Sequence, residues 1–258
     1  MNITEFGLDV FSLAGRNAIV TGGNTGLGQA FSLALAKAGA NVFIPSLTPE
    51  DGATRALIEG VGRRMEFMEA DLTVSGTPER VINECVARLG SVDILVNSAG
   101  ICLLDEVADF DRDKWDPMVA VNLTAAFELS HHASKHMRRQ GHGKIINIAS
   151  LFSFLGGQWS PAYAATKAGI VGFTKAYCDE LGQYNIQVNA IAPGYFATAI
   201  TETTRSNPEA DQRITQHIPA DRWGDPADLM GATVFLASPA SNYVNGHVLV
   251  VDGGYLVR

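Results

Sequence analysis

The stretch that decides the fold is NAIVTGGNTGLG, which runs from Asn17 to Gly28. Its first five residues, Asn17–Thr21, are mostly apolar and predict a buried strand. A loop with four glycines follows, and the apolar spacing from Gly26 to Ala38 predicts a helix. Glycine permits the positive φ of a tight strand-to-helix turn and lets a pyrophosphate come close to the backbone. The stretch therefore predicts a dinucleotide-binding loop at the first strand–helix junction.

The alternation of strand and helix continues to the end of the chain, without a linker or a change of composition. Six further apolar runs predict strands at 41–45, 65–69, 93–96, 144–148, 186–191 and 247–251. Helices are predicted near 77–89, 114–138, 161–183 and 226–237. This order predicts an α/β fold, a single doubly wound Rossmann-type domain over residues 1–258 with a seven-stranded parallel sheet. A polar insertion near 194–224 lacks a strand and predicts a substrate lid.

Composition limits the classes of partner. The net charge of −8 disfavours nucleic acid and anionic membranes. Three widely spaced cysteines predict neither a disulfide framework nor a metal site, and are typical of a reducing compartment. The segment Met1–Ser12 lacks the basic start and apolar run of a signal peptide, and no apolar run is long enough to span a membrane. We therefore expect a cytoplasmic protein without a membrane partner.

The end of the second predicted strand bears on the choice between NAD and NADP. An acidic residue there would bind the ribose hydroxyls, whereas an arginine would bind a 2′-phosphate. The sequence instead reads Pro45-Ser46-Leu47-Thr48, and Asn24 and Thr25 of the glycine-rich loop are also neutral. Without a cation for the 2′-phosphate, these residues favour NAD. Arg55, if it folded back from the next helix, would reverse that preference.

Tyr163 and Lys167 form a candidate acid–base pair. They are four residues apart in a predicted helix, which places them on one face. An ammonium ~4 Å from the tyrosine contributes about 4 kcal/mol at an effective dielectric constant of ~20, or roughly three pKa units. We therefore expect Tyr163 to act as a general base in oxidation and a general acid in reduction. Ser150 follows a predicted strand, where its hydroxyl would polarise a substrate oxygen.

Together these motifs resemble those of the short-chain dehydrogenase/reductase family. The matching segments are TGGNTGLG at 21–28, NSAG at 97–100, Asn122, Ser150, YAATK at 163–167 and PGYFAT at 193–198, in an order that covers nearly the whole chain. The resemblance implies hydride transfer between a nicotinamide cofactor and a secondary alcohol or ketone. It implies a catalytic set of Asn122, Ser150, Tyr163 and Lys167, in which the lysine also holds the nicotinamide ribose and the asparagine holds a relay water.

The resemblance also implies a set of cofactor contacts. These are Gly22, Asn24, Thr25, Gly26, Leu27, Gly28, Ser46, Asp71, Leu72, Asn97, Ala99, Gly100, Tyr163, Lys167, Pro193, Gly194, Phe196 and Thr198. Within this set Asp71 matches a position that meets adenine, and Thr198 matches a contact to the cofactor phosphate or carboxamide. A homotetramer built through the helices near 114–138 and 161–183 is a further implication.

The substrate stays open between a sugar acid, a neutral sugar, a polyol and a more apolar ketone. The segments 144–157, 189–198, 218–231 and 251–258 resemble the sugar-acid branch of the family, the gluconate and 2-dehydro-3-deoxygluconate 5-dehydrogenases. A carboxylate calls for a cation or several donors. The stretches Ile101–Leu104 and Gln158–Ser160 beside the predicted site carry no cation, which leaves Arg205, Arg213 and Arg222 in or beside the lid as candidate partners. Of these, Arg222 is expected to have a structural role in the turn Arg222-Trp223-Gly224.

Two other functions remain as alternatives. A 3-oxoacyl-acyl-carrier-protein reductase would prefer NADPH and present basic residues to its acidic carrier, whereas positions 24–25 and 46–47 carry none. A non-catalytic cofactor-binding regulator would be expected to lose the tyrosine or the lysine, whereas Tyr163 and Lys167 are both present.

Overall fold

Seven parallel strands form the centre of the computed structural model, which describes Thr4 and residues 6–258. Met1–Ile3 and Glu5 lie outside the described residues, and so does that part of the N-terminal prediction. The strands are β1 Asn17–Val20, β2 Asn41–Ser46, β3 Met65–Glu69, β4 Ile94–Asn97, β5 Gly143–Ile148, β6 Ile186–Pro193 and β7 Val248–Val251. Their order in the sheet is β3-β2-β1-β4-β5-β6-β7, which confirms the predicted Rossmann-type fold.

The strands are buried because side chains on both of their faces enter a core. Ala18 and Val20 of β1 pack into one apolar cluster, whereas Ile19 between them packs into another on the opposite side. The same alternation occurs in β4, where Leu95 faces away from Ile94 and Val96. Strands with two apolar faces require helices on both sides of the sheet, and such a parallel sheet provides them through its crossovers.

The helices cover the two faces of the sheet. They are α1 Gly26–Lys37, α2 Ala53–Glu59, α3 Thr77–Leu89, α4 Arg112–Val119, α5 Ala125–Gln140, α6 Pro161–Leu181, α7 Glu202–Arg205, α8 Pro208–His217 and α9 Met230–Ala237. The pair α1 and α9 packs on one face, while α3, α5 and α6 pack on the other. The predicted helix at 114–138 is interrupted by a π-helical turn, Ala120–Thr124, between α4 and α5.

The topology gathers the predicted functional residues at one edge. After β3 the chain returns to the middle of the sheet, so that β1 and β4 are neighbours at a topological switch point. Ligands in this fold class bind outside the carboxyl ends of the strands at such a point. The predicted lid follows β6 at the same edge, and α7 and α8 lie within it.

Two further properties of the described residues bear on function. No helix among Thr4 and residues 6–258 combines the length and the apolar character needed to cross a bilayer. In the same part of the chain, no three His, Cys, Asp or Glu side chains are arranged to hold a metal ion.

Candidate active site

The glycine-rich loop has a shape that only glycine permits. Gly22 and Gly26 have φ values of +63° and +51°, in the left-handed region. A Cβ atom at Gly28 would lie 2.2 Å from the carbonyl oxygen of Gly22, so the first turn of α1 packs directly on the loop. Nothing lies within 4 Å of a Cβ built on Gly26, which leaves space over the helix N-terminus. Unpaired amides and the helix dipole make this space suitable for the pyrophosphate of a dinucleotide.

Thr21 and Asn24 hold this loop to its neighbours. The Thr21 hydroxyl oxygen accepts hydrogen bonds from the amides of Ser98 and Ala99, at 2.9 and 2.8 Å, and so joins the loops after β1 and β4. The Asn24 amide donates to the carbonyl oxygens of Thr48 and Pro49. Its Oδ1 atom is buried and has no hydrogen-bond partner among the described residues. An orphaned acceptor beside the end of β2 fits a ribose hydroxyl, which can donate to it.

The end of β2 presents no cation to a ligand. Ser46 is buried and its hydroxyl oxygen accepts a hydrogen bond from the amide of Thr48. Arg55 does not fold back toward this edge, because its guanidinium pairs with Glu50 and Glu59 and donates to the Met65 carbonyl at 3.0 Å. The residue that would have reversed the predicted cofactor preference is therefore engaged elsewhere.

Two predicted cofactor contacts have side chains that turn away from the site. The Asn97 amide donates to Ser130 and Asn147, at 2.9 and 2.8 Å, and so ties β4 to β5 and α5. Phe196 is buried in the core against Gly224, where a Cβ atom would come within 2.6 Å of its ring. Any contact of Asn97 or Phe196 with a cofactor is therefore expected through backbone atoms, and both residues stay predicted cofactor contacts.

The remaining predicted contacts lie along the same edge. Asp71 is exposed after β3 and its Oδ1 atom accepts hydrogen bonds from the amide and hydroxyl of Thr73, which lower the pKa of this carboxyl. Pro193 ends β6, and a Cβ at Gly194 would lie 2.6 Å from the Cα of Asp252. Half-buried or exposed positions are Thr25, Leu27, Ala99, Gly100 and Thr198, whereas Leu72 is buried behind Asp71.

Tyr163 and Lys167 lie on one face of α6, as their spacing predicts. The Lys167 Nζ atom is 5.4 Å from the centre of the Tyr163 ring and donates to the carbonyl oxygen of Ile148, at the end of β5, over 2.7 Å. Proline at the first position of α6 suits the helix start that sets this register. The pair therefore sits at the carboxyl end of β5, with Lys167 beside Gly100 in the loop after β4.

The pKa values of this pair differ from the prediction. Burial, with a smaller contribution from Cys102, raises the pKa of Tyr163 to about 12, and a hydrogen bond with Ser150 opposes the rise. Burial also lowers the pKa of Lys167 to about 8. The lysine therefore does not by itself bring about the expected lowering of the tyrosine pKa. Desolvation of the phenolate outweighs an ammonium that is directed at Ile148.

Asn122 occupies the π-helical turn between α4 and α5. Its side chain is buried, with Oδ1 accepting from the Ile101 amide at 2.8 Å and Nδ2 donating to the Ile101 carbonyl at 2.9 Å. Nδ2 also lies 3.4 Å from the hydroxyl of Thr166. The side chain thus fixes the loop after β4 against α6, and π-helical turns are frequent at functional sites. A relay water held by Asn122 stays a prediction.

Ser150 and Ser153 form a turn that the sequence only partly indicated. The Ser150 hydroxyl oxygen accepts from the Phe152 amide at 3.2 Å, and the Ser153 hydroxyl donates to the Lys167 carbonyl at 2.7 Å. Ser153 also accepts from the Ser150 amide at 3.3 Å. It is a positioning residue that sequence reasoning missed, because a serine three residues from another carries no distinctive signal.

The substrate side of the site has an apolar rim. Leu104, Phe154, Leu155, Trp159 and Ile200 are exposed large apolar residues in the segments that follow β4, β5 and β6. Trp159 has a φ of +63°, a left-handed conformation that is costly for a bulky residue, and its carbonyl accepts from the Asp105 amide at 2.9 Å. Strain of this kind clusters at ligand-binding sites.

Two arginines lie in the helices of the predicted lid, Arg205 in α7 and Arg213 in α8. Arg205 pairs with Glu202 and donates to the Thr198 carbonyl at 3.3 Å, while its Nε atom is buried without a partner among the described residues. Arg213 is exposed and close enough to Tyr195 to act on its pKa. Arg222 pairs with Asp228 at 2.7 Å, in agreement with the structural role expected of it.

Comparisons with known proteins agree with this geometry. A family model described as enoyl-(acyl carrier protein) reductase matches residues 22–256. An uncharacterized oxidoreductase of Escherichia coli K12, YgcW, is 67% identical over 100% of this chain and 98% of its own. The 2-dehydro-3-deoxy-D-gluconate 5-dehydrogenase of Bacillus subtilis 168 is 46% identical over 97% of this chain and 98% of its own.

A solved structure completes the comparison. The gluconate 5-dehydrogenase of Burkholderia cenocepacia J2315, in complex with NADP and tartrate, superposes with a TM-score of 0.93. Its sequence is 38% identical, with 97% of this chain and 99% of that chain covered.

Proposed function

Because this chain belongs to the short-chain dehydrogenase/reductase family, we propose that it interconverts a secondary hydroxyl and a ketone of a sugar acid. Membership makes the chain an NAD(P)-dependent oxidoreductase that acts on CH–OH groups. The observation that carries the chemistry is the contact of Tyr163 with Ser150 and Lys167 at the carboxyl end of β5.

The acid–base step follows from these side chains. A bound nicotinamide ring would accept or supply the hydride. In oxidation the Tyr163 oxygen takes the proton of the substrate hydroxyl, and in reduction it returns a proton to the substrate oxygen. Ser150 would donate a hydrogen bond to the same oxygen. Lys167, with its pKa lowered to about 8, still carries a positive charge at neutral pH. That charge favours the deprotonated form of Tyr163.

The sugar-acid assignment rests on the relatives and on the lid. Several relatives are named as dehydrogenases of gluconate-type acids, and the Burkholderia structure holds tartrate, a hydroxy acid. In this chain the buried, unpartnered Nε of Arg205 is a donor that a substrate carboxylate would satisfy, and exposed Arg213 adds a second cation. The apolar rim favours a neutral sugar or polyol instead, so these remain the second candidates.

The test is absorbance at the reduced-nicotinamide band with a substrate panel. It contains sugar acids, polyols, neutral sugars and β-ketoacyl thioesters, each with NAD and with NADP. Turnover confined to sugar acids, with KM raised in an Arg205→Gln variant more than in Arg258→Gln, supports the proposal. Turnover of only neutral substrates moves the assignment to the polyols, and turnover of the thioesters moves it to the acyl-carrier-protein reductases.

We further propose that NAD is preferred over NADP. The relatives do not support this preference, since the Burkholderia enzyme was solved with NADP. The preference rests on this chain's own residues: Asn24 and Leu47 are neutral, and Arg55 is bound to Glu50 and Glu59. A 2′-phosphate would have no cation at the end of β2, whereas a 2′-hydroxyl can donate to the orphaned Oδ1 of Asn24.

Assembly and location are proposed on separate grounds. Phe127 of α5 is exposed and packs edge-on against Phe173 and Tyr177 of α6, which gives the outer face of these helices an aromatic patch. We propose that this patch joins subunits of a homotetramer, which light scattering would measure. A cytoplasmic location stays a prediction from the number and spacing of the cysteines.

A further inference from the structure

A cavity of about 100 Å³ lies at the amino end of the sheet, opposite the active site. Its charged lining consists of Arg16 before β1, Asp93 before β4, His142 before β5 and Lys144 in β5. Ser150 lies six positions after Lys144, which is about 20 Å at the rise of a strand. The cavity is therefore separate from the cofactor and substrate edge.

Lys144 is a buried cation that the proposed chemistry does not use. It is 8% exposed, and its Nζ atom donates to the hydroxyl of Ser241 at 3.2 Å and to Oδ1 of Asn242 at 2.9 Å. Both partners are neutral, and an ammonium has three N–H donors. One donor is therefore left for the cavity that Lys144 lines. A buried charge without a counter-ion is costly, so an anion in this space would stabilise the folded chain.

Asp93, the one carboxylate among the described residues of the cavity wall, already has its full set of hydrogen-bond donors. Asp93 Oδ2 accepts from the Asn17 amide at 2.9 Å and the Ser91 hydroxyl at 2.7 Å. Its Oδ1 atom contacts Arg16 at 3.2 Å and His142 at 2.7 Å. Four such contacts match the acceptor capacity of a carboxylate, so Asp93 cannot also neutralise Lys144. Arg16 keeps further N–H donors and reaches the same cavity.

We propose that this cavity is a binding site for a small oxyanion, held by Lys144 and Arg16. A space of this size takes several water molecules or one tetrahedral oxyanion in their place. Asn185, just before β6, and Gln187 in β6 also line the cavity. A larger phosphorylated molecule fits only by its phosphoryl group.

The test uses sulfate as the probe, because its charge does not change near neutral pH. Thermal unfolding is followed in saturating NAD, which occupies the other anion-binding loop, with chloride keeping ionic strength constant. Sulfate also stabilises proteins by exclusion, an effect shared by every variant. Binding at the site adds a further stabilisation, which grows with the logarithm of the sulfate concentration once that concentration exceeds the dissociation constant. We expect this extra rise of the unfolding temperature in the native chain. In Lys144→Gln the apparent affinity for sulfate should be at least ten-fold weaker.

The matched control is Lys37→Gln, which removes the same charge from an exposed position on α1. It should keep the native response to sulfate. If Lys144→Gln does not fold, Arg16→Gln replaces it, since that side chain is 43% exposed and tolerates substitution more readily. Acetate and glucose 6-phosphate are titrated in the same way, and they show whether the site also binds the oxyanion as a carboxylate or as the phosphoryl group of a sugar phosphate. Equal sulfate responses in the native chain and in Lys144→Gln or Arg16→Gln would overturn the proposal.

Discussion

Two buried lysines lie at opposite ends of β5, and burial lowers the pKa of each to about 8. Lys167 donates to the last carbonyl of the strand and lies beside Tyr163, whereas Lys144 lies near its start and donates to Ser241 and Asn242. The two ammonium groups share burial and a lowered pKa, yet only one has a group with acid–base chemistry next to it. A shifted pKa alone therefore does not identify a catalytic residue; the neighbours do.

Substitution of the two lysines tests this comparison most strongly. We expect Lys167→Met to lower kcat/KM by about 100-fold to 10,000-fold, as for the loss of a group that supports proton transfer. Lys144→Gln, measured in the same assay, should cause a loss at least ten-fold smaller. Comparable losses from both substitutions would mean that the amino end of the sheet also takes part in turnover.

The pH dependence of stability tests the lysine at the start of β5, Lys144. Because the pKa of folded Lys144 is about 8 and that of an unfolded lysine is about 10.4, the unfolded chain binds more protons between these values. The penalty of burying this charge is complete below about pH 8 and disappears as the pH rises to about 10. In sulfate-free buffer, the free energy of unfolding of the native chain should rise by up to about 3 kcal/mol relative to Lys144→Met over this range.

Denaturant titrations at pH 7, 8, 9 and 10 check this prediction. The difference between native chain and variant isolates Lys144 from the tyrosines and cysteines that also titrate. A difference that does not change with pH would show that Lys144 is hydrated and charged throughout.

The smallest predicted effect concerns cofactor preference at the carboxyl end of β2, where the chain has no cation. Leu47 is exposed just after β2, so Leu47→Arg would place a guanidinium near the position of a 2′-phosphate. We expect the ratio of kcat/KM for NADP to that for NAD to rise about ten-fold, within the range of a charge-assisted hydrogen bond. Val61→Arg, exposed but beyond α2, is the control for added charge. If the NADP-to-NAD ratio did not change, the 2′-phosphate of the cofactor would have to bind away from residue 47.

The sequence predicts the architecture well for physical reasons that are local. Runs such as Ile186–Pro193 are buried on both faces and can only be central strands, and the glycines from Gly22 to Gly28 have a steric requirement that any such loop must meet. Tyr163 and Lys167 share a helix face whatever surrounds them. Spacing along one element is enough for these conclusions.

The sequence does not predict features that depend on contacts between elements. Asn97 and Phe196 lie in segments of the site, but their side chains point into the core because Ser130, Asn147 and Gly224 are there to receive them. The raised pKa of Tyr163 depends on burial by the whole fold, which spacing does not report. Thr21, which joins the loops after β1 and β4, gives no distinctive pattern for the same reason.

The central claim is that Tyr163 exchanges the substrate proton during hydride transfer. Its most direct test is kcat/KM for oxidation of the active panel substrate by the native chain and by Tyr163→Phe, with the dissociation constant of NAD measured alongside. We expect a loss of about 100-fold to 10,000-fold in kcat/KM with NAD binding within a few-fold of native. Native kcat/KM in the Tyr163→Phe variant would contradict the claim.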